Sequence, residues 1–277
     1  MPNDFNQQVI DEFRANSGQV GGPFEGARLI LLTTTGARSG APHTTPVGYL
    51  PDGAERILVI ASAAGAPRDP AWFHNLRATP RVTVETGVFT YDADAVVLRG
   101  AERDHAFARA VEADPGWAEY QARTSRIIPV VALQGVPGPP KPNATSWGAA
   151  LRLVHDSFRR ELALIRKEIA ESGPGLGSQL RMNCLTLCQG LHNHHTGEDA
   201  GIFRFVADRH PGVAPVLERL RREHQTIAEL LQQLQEVIAS DDADPLLVRT
   251  EVERLTDEVE RHLSYEEEHL IPILDAF

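Results

Sequence analysis

The stretch His194-His195-Thr196-Gly197-Glu198 sets a histidine and a glutamate four residues apart, and His262-Leu263-Ser264-Tyr265-Glu266 repeats that spacing. Residues four apart on an α-helix lie on one face, about one turn from each other. Each stretch follows a further histidine, His155 or His224, at almost the same separation. This internal duplication predicts four helices that direct imidazoles and carboxylates at a common centre.

The apolar residues around these histidines follow the period of helices. Steps of three and four residues predict amphipathic helices in an up-down four-helix bundle over residues 148–277, with turns at 173–175, 210–212 and 242–245. The histidines lie in register with the leucines, so they are expected to point inward. The stripes are Leu151, His155, Phe158, Leu162, Ile165 and Ile169; Cys184, Leu187, Leu191, His194 and Glu198; Leu217, Leu220, His224, Ile227, Leu231 and Leu234; and Leu255, Val259, His262, Glu266 and Ile273.

A metal is the simplest reason to collect these groups in one core. Burying two carboxylates among leucines costs several kcal/mol for each unless a positive charge compensates them. A pair of cations supplies that charge, and one carboxylate can bridge two metals through its two oxygens. The alternative is a polar network of neutral histidines and glutamates. Nitrogen and oxygen ligands suit iron, manganese or zinc, and spacing alone does not choose among them.

Through these stretches, together with His155-Asp156 and Glu223-His224, residues 148–277 resemble the hemerythrin-like (HHE, cation-binding) family. The resemblance implies a non-haem di-iron site with bridging carboxylates and terminal histidines. Its implied metal ligands are His155, His194, Glu198, His224, His262 and Glu266.

The third predicted helix departs from the dioxygen-carrying members of that family. Those members place two histidines one turn apart on this helix, whereas Leu220 and Ala228 flank His224 at that spacing. One iron is therefore expected to lack a protein ligand, which leaves a position for water, substrate or dioxygen. Four residues are candidate substitutes, although each is expected more often outside the coordination sphere or at the surface. They are His192, His195, Glu223 and His269.

A proline-rich segment, Val136–Asn143, separates the bundle from a first half of different character. Its four prolines favour a stiff linker at 137–147. Short β-branched runs and turn signals before it predict a small barrel with peripheral helices over residues 1–136, which makes the whole chain α+β. The predicted strands are Leu29–Thr34, Thr44–Leu50, Ile57–Ala61, Val82–Glu85, Val88–Leu98 and Ile127–Leu133, and the predicted helices are Asn3–Ala15, Ala71–Ala78 and Ala101–Ala113.

Five motifs of this half resemble those of the deazaflavin-dependent nitroreductase family. They are Leu31–Gly40, Pro46–Tyr49, Ala61-Ser62, Asp69–Leu76 and Arg126–Val131. The resemblance implies a split β-barrel of FMN-binding-like fold that uses coenzyme F-420, with FMN as the alternative cofactor. It also implies hydride transfer to a quinone, a nitroaromatic or a related small-molecule acceptor, and it makes a homodimer an expectation.

The turn Thr35–Gly40 offers backbone N–H groups, hydroxyls and one fixed positive charge, which suit a phosphate or a carboxylate-rich tail. A plain hairpin turn is the alternative interpretation. Relatives have two basic residues here, whereas this chain has Ala37-Arg38, so Arg68 or Arg77 is a candidate for the second charge. The resemblance implies cofactor binding by Arg38, Ser39, Gly40, Pro46, Ser62, Trp72 and Asn75, of which Trp72 fits ordinary core packing equally well.

Trp117 and Tyr120 occupy the positions where this family places substrate-side aromatic residues, so the resemblance makes them the candidate catalytic residues. The Tyr120 hydroxyl is suited to hydrogen-bond a substrate oxygen or to donate a proton. Trp117 has no oxygen donor. Hydride chemistry is accordingly better supported than proton donation.

Net charge and hydropathy limit the binding partners and the cellular compartment that the sequence predicts. A net charge of −11 argues against a nucleic-acid partner. The sequence has no apolar run of membrane-spanning length and no signal-peptide pattern, which favours the cytoplasm. Cys184 and Cys188 stand one helical turn apart and are expected to be small core residues rather than redox partners.

Together these features predict a two-part redox protein. A deazaflavin-dependent reductase domain would be coupled to a di-iron domain that binds, senses or reduces dioxygen. The alternative is a non-enzymatic oxygen, redox or iron sensor in which the barrel only binds a cofactor or ligand.

Overall fold

The structure is a computed structural model that describes residues 4–53, 55–173, 175–240 and 243–276. Asn3, Pro174 and Asp242, which the sequence places in a predicted helix and two predicted turns, lie outside the described residues. The chain divides into two compact units, residues 1–143 and 144–277.

Six strands of the first unit close into an antiparallel barrel in the order β4-β1-β2-β3-β6-β5, with β4 also paired to β5. This architecture confirms the predicted barrel and the α+β class. The strands are β1 (Leu29–Thr35), β2 (Pro42–Pro51), β3 (Arg56–Ile60), β4 (Arg81–Glu85), β5 (Phe89–Val97), β6 (Val130–Gly135) and β7 (Lys141–Pro142), and the helices are α1 (Asp4–Ala15), α2 (Ala71–Ala78), α3 (Gly100–Ala113) and α4 (Gly116–Ala122).

β1 is buried on both faces, which explains its continuous apolar run. Ile30 and Leu32 pack into the barrel interior, while Leu31 packs against the apolar stripe of α1. Side chains of a strand alternate between its two faces, so one strand serves both cores. β1 therefore lies between the barrel core and α1.

The strands β1 and β3 flank β2, but they pair with it over different lengths. β1 pairs with β2 from Leu29 to Thr35, but β3 pairs with it only at Tyr49–Pro51. Both neighbours are antiparallel to β2, so β1 and β3 run in the same direction. The first part of β2 therefore keeps one side free of strand pairing within the described residues, and this opening splits the barrel.

Two elements of the first unit differ from the sequence expectation. α4 was not predicted, because its seven residues are too few to show a helical period. Within the segment expected to be a linker, Lys141–Pro142 forms the edge strand β7 against β5, and the Asn143 side chain binds the Thr90 hydroxyl at 2.8 Å. Proline is tolerated there because an edge strand does not need every N–H.

Four long helices form the second unit, as the apolar stripes predict. They are α5 (Trp147–Glu171), α6 (Ser178–Gly197), α8 (Ala214–Ile238) and α9 (Pro245–Leu274); a π-helical turn at Glu198–Ile202 joins α6 to the short helix α7 (Phe203–Arg209). α5 and α8 each pack against both α6 and α9. Cys184 and Cys188 are buried and form no disulfide, as expected of core residues. None of the described helices is long and apolar enough to cross a membrane.

Candidate metal centre and candidate cofactor site

The six predicted metal residues meet in the middle of the bundle. His155 comes from α5, His194 from α6, Glu198 from the π-helical turn and His224 from α8, while α9 contributes His262 and Glu266. All except His194 are at least 95 % buried, and its side chain is 11 % exposed. π-helical turns within α-helices occur frequently at functional sites, and this turn carries Glu198 into the core.

Each glutamate lies between two histidines from different helices. A Glu266 oxygen is 3.6 Å from the Nε2 atoms of both His155 and His262. The Glu198 oxygens are 3.1 Å from His194 Nε2 and 3.6 Å from His224 Nε2. Two ligands at about 2.1 Å from one ion are roughly 3.0–3.4 Å apart when their angle at the ion is 90–110°. The observed separations are close to the edges of such coordination polyhedra.

The donor atoms also lack other partners. Five imidazole Nε2 atoms and all four oxygens of Glu198 and Glu266 are buried with no hydrogen-bond partner among the described residues. Buried polar atoms are normally satisfied, because an unpaired one costs about 1–3 kcal/mol. A convergent set of nine unpaired atoms fits metal binding, and it does not fit the alternative of a hydrogen-bonded polar network.

His195 is the fifth imidazole of the centre. Its ring stacks on that of His224 at 4.3 Å between centroids and stands edge-on to that of His262 at 5.0 Å. The candidate donors form two groups that share Glu198: His195, Glu198, His224 and His262, and His155, His194, Glu198 and Glu266.

The structure thus brings His195, one of the candidate substitutes, into the cluster of predicted metal residues. The imidazole that α8 does not supply is offered by α6, next to His194. Of the three other candidate substitutes, His192 is exposed, His269 Nδ1 donates a hydrogen bond to Tyr265 O, and Glu223 contacts His262 Nδ1 rather than the centre.

Burial sets the protonation of the metal-free centre. Burial raises the pKa of both Glu198 and Glu266 above the ordinary carboxyl value. Burial, followed by the neighbouring imidazole of His224, lowers the pKa of His262 to about 4, and it lowers that of His155 as well. Without a cation the protein therefore favours neutral groups here, whereas a bound cation favours carboxylates and neutral imidazoles.

Carboxylates bind the outer nitrogens of two of these imidazoles. Glu267 lies 2.9 Å from His155 Nδ1 and Glu223 lies 3.0 Å from His262 Nδ1, within hydrogen-bond geometry, while Asp199 is near His224 Nδ1 at 3.2 Å without forming a hydrogen bond. The first two contacts fix the ring tautomer that keeps Nε2 free for a metal. Burial raises the pKa of Glu267, but the hydrogen bonds with His155 and with Arg159, the latter at 2.7 Å, outweigh it and lower that pKa to about 2, so this carboxylate stays charged.

We expect Glu267→Gln to weaken metal binding by roughly tenfold, because a neutral amide holds the His155 ring less firmly and makes it a poorer donor. Zn(II) and Co(II) affinities measured against a chromophoric chelator test this. Glu260→Gln is the matched control, because Glu260 also binds Arg159 at 2.8 Å but is half-exposed and contacts no candidate ligand. Equal affinities for the wild type and Glu267→Gln would contradict the expectation.

In the barrel, the turn after β1 is built around Asn75 of α2. The Asn75 side chain accepts a hydrogen bond from Ala37 N–H and donates one to the Thr34 hydroxyl, both at 3.0 Å. Ser39 Oγ accepts from Ala41 N–H, and Gly40 has a φ of +66°, which glycine adopts without strain. Asn75 and Ser39 therefore shape the turn, whatever else they bind.

The guanidinium of Arg38 projects from this turn. Arg38 is exposed, and no described residue forms an ion pair or hydrogen bond with it. Of the two other candidate cations, Arg68 is exposed, and Arg77 lies over the Phe73 ring at 5.9 Å. An exposed arginine on a shaped turn suits an anionic ligand, since arginine offers paired donors to phosphate and carboxylate.

The loop after β3 is strained. Ser62 is buried, and the next residues, Ala63 and Ala64, have φ values of +46° and +52°. The left-handed conformation costs about 1 kcal/mol or more for each residue other than glycine, and it persists where the surroundings impose it. Such strain is common at ligand sites. The sequence motifs indicate Ser62 as a cofactor-binding residue, but they do not predict the left-handed backbone of Ala63 and Ala64 beside it.

The remaining predicted site residues of the barrel lie in different environments. Pro46 lies on the part of β2 that β3 does not pair with. Trp72 is buried in the barrel core against Phe73, which is the ordinary core packing that the sequence left open. On α4, the half-buried rings of Trp117 and Tyr120 meet edge-to-face at 5.9 Å.

A split barrel with a cationic turn, followed by a helical bundle with a histidine and carboxylate centre, defines a two-domain redox protein. The family F420H(2)-dependent quinone reductase matches residues 6–135, and the Hemerythrin HHE cation binding domain matches residues 149–274. The chain belongs to the F420H(2)-dependent quinone reductase family, joined to a hemerythrin HHE domain, and is an oxidoreductase.

Relatives match the first domain. An F420H(2)-dependent quinone reductase of Mycobacterium tuberculosis is 37% identical over 125 residues, which cover 44% of this chain and 83% of the relative. A second putative reductase of that name from M. tuberculosis is 31% identical over 105 residues, 38% of this chain and 87% of the relative. A solved structure described as an F420-H2 dependent reductase (FDR-A) is 38% identical, with a TM-score of 0.35, and spans 38% of this chain and 93% of that one.

Proposed function

We propose that the first domain oxidises reduced coenzyme F-420 and passes a hydride to a quinone, a nitroaromatic or a related acceptor. The exposed, unpartnered Arg38 on a turn ordered by Asn75 is the observation that supports an anionic cofactor tail there. Ser39 and Gly40 would flank that tail, while Pro46, Ser62, Trp72 and Asn75 would line the ring site. FMN is the alternative cofactor.

The cofactor supplies the hydride chemistry, and the protein supplies binding and orientation. Trp117 and Tyr120 would hold the acceptor through an aromatic face. The Tyr120 hydroxyl would hydrogen-bond a carbonyl or nitro oxygen of the acceptor and hold a proton at that oxygen.

The second domain would hold two non-haem iron ions, with manganese or zinc as alternatives. Nine unpartnered, buried nitrogen and oxygen donors support this part of the proposal. Glu198 and Glu266 would bridge the ions, His155 and His194 would bind one, and His195, His224 and His262 would bind the other. Iron in this site supplies one-electron chemistry and an affinity for dioxygen.

The two domains would serve one redox task without direct hydride transfer between them. A deazaflavin donates two electrons together, whereas iron changes by single electrons. We therefore propose that the bundle binds, senses or reduces dioxygen and so protects or regulates the reductase domain.

Anaerobic mixing of the iron-loaded protein with reduced coenzyme F-420 and menadione tests the reductase. Cofactor oxidation that requires both protein and menadione is expected, and later admission of oxygen should change the iron bands. If the cofactor binds but no quinone, nitro compound or dioxygen consumes it, the non-enzymatic sensor replaces the reductase.

Arg38→Gln should raise the dissociation constant of coenzyme F-420 about tenfold, because a charge-assisted hydrogen bond to an anionic tail is worth roughly 1.5 kcal/mol or more. Fluorescence titration of the oxidised cofactor measures this. The control is Arg99→Gln, which removes another exposed barrel arginine, at the start of α3. Unchanged affinity in Arg38→Gln would place the tail elsewhere.

A further inference from the structure

One side chain, Arg126, holds the strained loop after β3. Its guanidinium donates to Ala61 O at 3.0 Å, to Ser62 O at 2.6 Å and to Ala66 O at 2.9 Å. These carbonyls lie on both sides of the left-handed residues Ala63–Gly65. The side chain of Arg126 is only 15 % exposed, so these charge-assisted bonds are shielded from water.

The same guanidinium reaches the entrance of α2. Its Nη1 donates to Asp69 Oδ1 at 2.7 Å, and Asp69 directly precedes Pro70, the N-cap of α2. α2 carries Trp72 and Asn75, and Asn75 orders the Arg38 turn. Arg126 therefore ties the loop with Ser62 to the helix that shapes the cationic turn.

The backbone of Arg126 is fixed by α4. Gln121 Nε2 donates to Arg126 O at 2.7 Å. The loop meets the same helix directly, because a Cβ added to Gly65 would lie 2.8 Å from Tyr120 O and 2.9 Å from Arg123 Cβ. Gly65 also has a φ of +80°, so two constraints favour glycine there. The loop is thus held between Arg126 and α4.

We infer that Arg126 is a positioning residue that sets the cofactor-side loop and α2 against the acceptor-side helix α4. The inference rests on the proposed reductase function. A planar guanidinium with five donors can serve three carbonyls and one carboxylate together, whereas a lysine ammonium cannot reproduce that fork. Hydride transfer needs donor and acceptor in close, aligned contact, so a small displacement of this loop lowers the rate.

Arg126→Lys tests the inference, with Arg109→Lys as the matched structural control. Arg109 is similarly buried, with 18 % of its side chain exposed, and it donates to Asp52 Oδ1 at 2.5 Å without contacting the loop or Gln121. Both variants are expected to lower the thermal midpoint of the barrel. Only Arg126→Lys should raise the dissociation constant of oxidised coenzyme F-420 about tenfold and lower kcat with menadione at saturating cofactor.

A second variant protects the test against poor folding of the first. Asp69→Asn leaves the three carbonyl contacts in place and should shift cofactor affinity in the same direction by a smaller factor. Wild-type cofactor affinity and kcat in Arg126→Lys, or equal changes in both arginine variants, would overturn the inference alone. A wild-type protein that binds no coenzyme F-420 would instead overturn the proposed function, and the inference with it.

Discussion

Glu266→Gln is expected to abolish metal binding and, at the same time, to stabilise the metal-free protein. Glu266 is fully buried, and both of its oxygens lack partners among the described residues. With a cation present, the carboxylate supplies charge and a bridge between the two donor groups. Without one, the protein bears the cost of burying the carboxyl group.

The direction in which the free energy of unfolding changes with pH tests whether burial of the Glu266 carboxyl group is costly. Burial raises the pKa of Glu266, so the metal-free folded state binds more protons than the unfolded state. That contribution is favourable at low pH and is lost as the pH rises through the raised pKa. The histidines act oppositely, because their lowered pKa values remove stability as the pH falls below about 6.5. Between about pH 6.5 and pH 8, the raised pKa of Glu266 therefore dominates the pH dependence of stability.

In this window the metal-free wild type should lose stability as the pH rises, and Glu266→Gln should lose less. At pH 7.5 the free energy of unfolding of the metal-free variant should exceed that of the metal-free wild type by about 2–4 kcal/mol. The wild type must take up a proton to bury its carboxyl group, whereas the variant does not. Urea unfolding followed by helical circular dichroism after chelation measures this, and Zn(II) titration measures the lost binding.

Glu268→Gln is the matched control, because Glu268 is exposed on the same helix and is expected to change neither quantity. A Glu266→Gln protein that is less stable than the wild type without metal would show that Glu266 serves a hydrogen-bonded network. One that still binds two metals would show that Glu266 is not a ligand.

The bundle could be predicted from sequence because its signal is periodic. A stripe such as Leu217, Leu220, His224 and Ile227 fixes which face of α8 is buried, and histidines in the stripe must then enter the core. The spacing of four between His262 and Glu266 adds a common face. These inferences need only helix geometry.

His195 was a candidate ligand, but its place in the core could not be predicted in the same way. Consecutive residues of a helix point about 100° apart. If one apolar stripe through His194 faces the core, His195 is therefore expected beside the core rather than in it. Four helices meet around the centre, however, and α6 contacts both α5 and α8. One face of α6 therefore turns His194 toward His155, while the adjacent face turns His195 toward His224. Packing between helices decides this, and no local pattern encodes it.

The barrel shows the same limit. Motifs located the loop at Ser62 and the turn at Arg38, because β-branched runs and glycines mark where strands end. Three of the four partners of the Arg126 side chain were not predictable, because they are backbone carbonyls 60 or more residues away in sequence. Carbonyl oxygens exist at every residue and leave no trace in composition.

His195→Leu is expected to remove one of the two metals and to leave the other. The group of His195, Glu198, His224 and His262 loses one of its three imidazoles, whereas the group of His155, His194, Glu198 and Glu266 keeps all of its donors. Loss of one direct ligand worth about 3 kcal/mol weakens binding roughly a hundredfold. Leucine is apolar and of similar size, so it should fill the buried space beside the His224 ring.

The measurement is metal content per chain after loading with iron and, separately, with Co(II), whose absorption reports nitrogen ligation. The wild type should hold two ions and His195→Leu about one, with weaker Co(II) absorption. His192→Leu is the control, because His192 is exposed on the same helix and should leave both ions bound. Two tightly held ions in His195→Leu would mean that His224, His262 and the two carboxylates suffice. The stacking of His195 on His224 would then reflect packing rather than coordination.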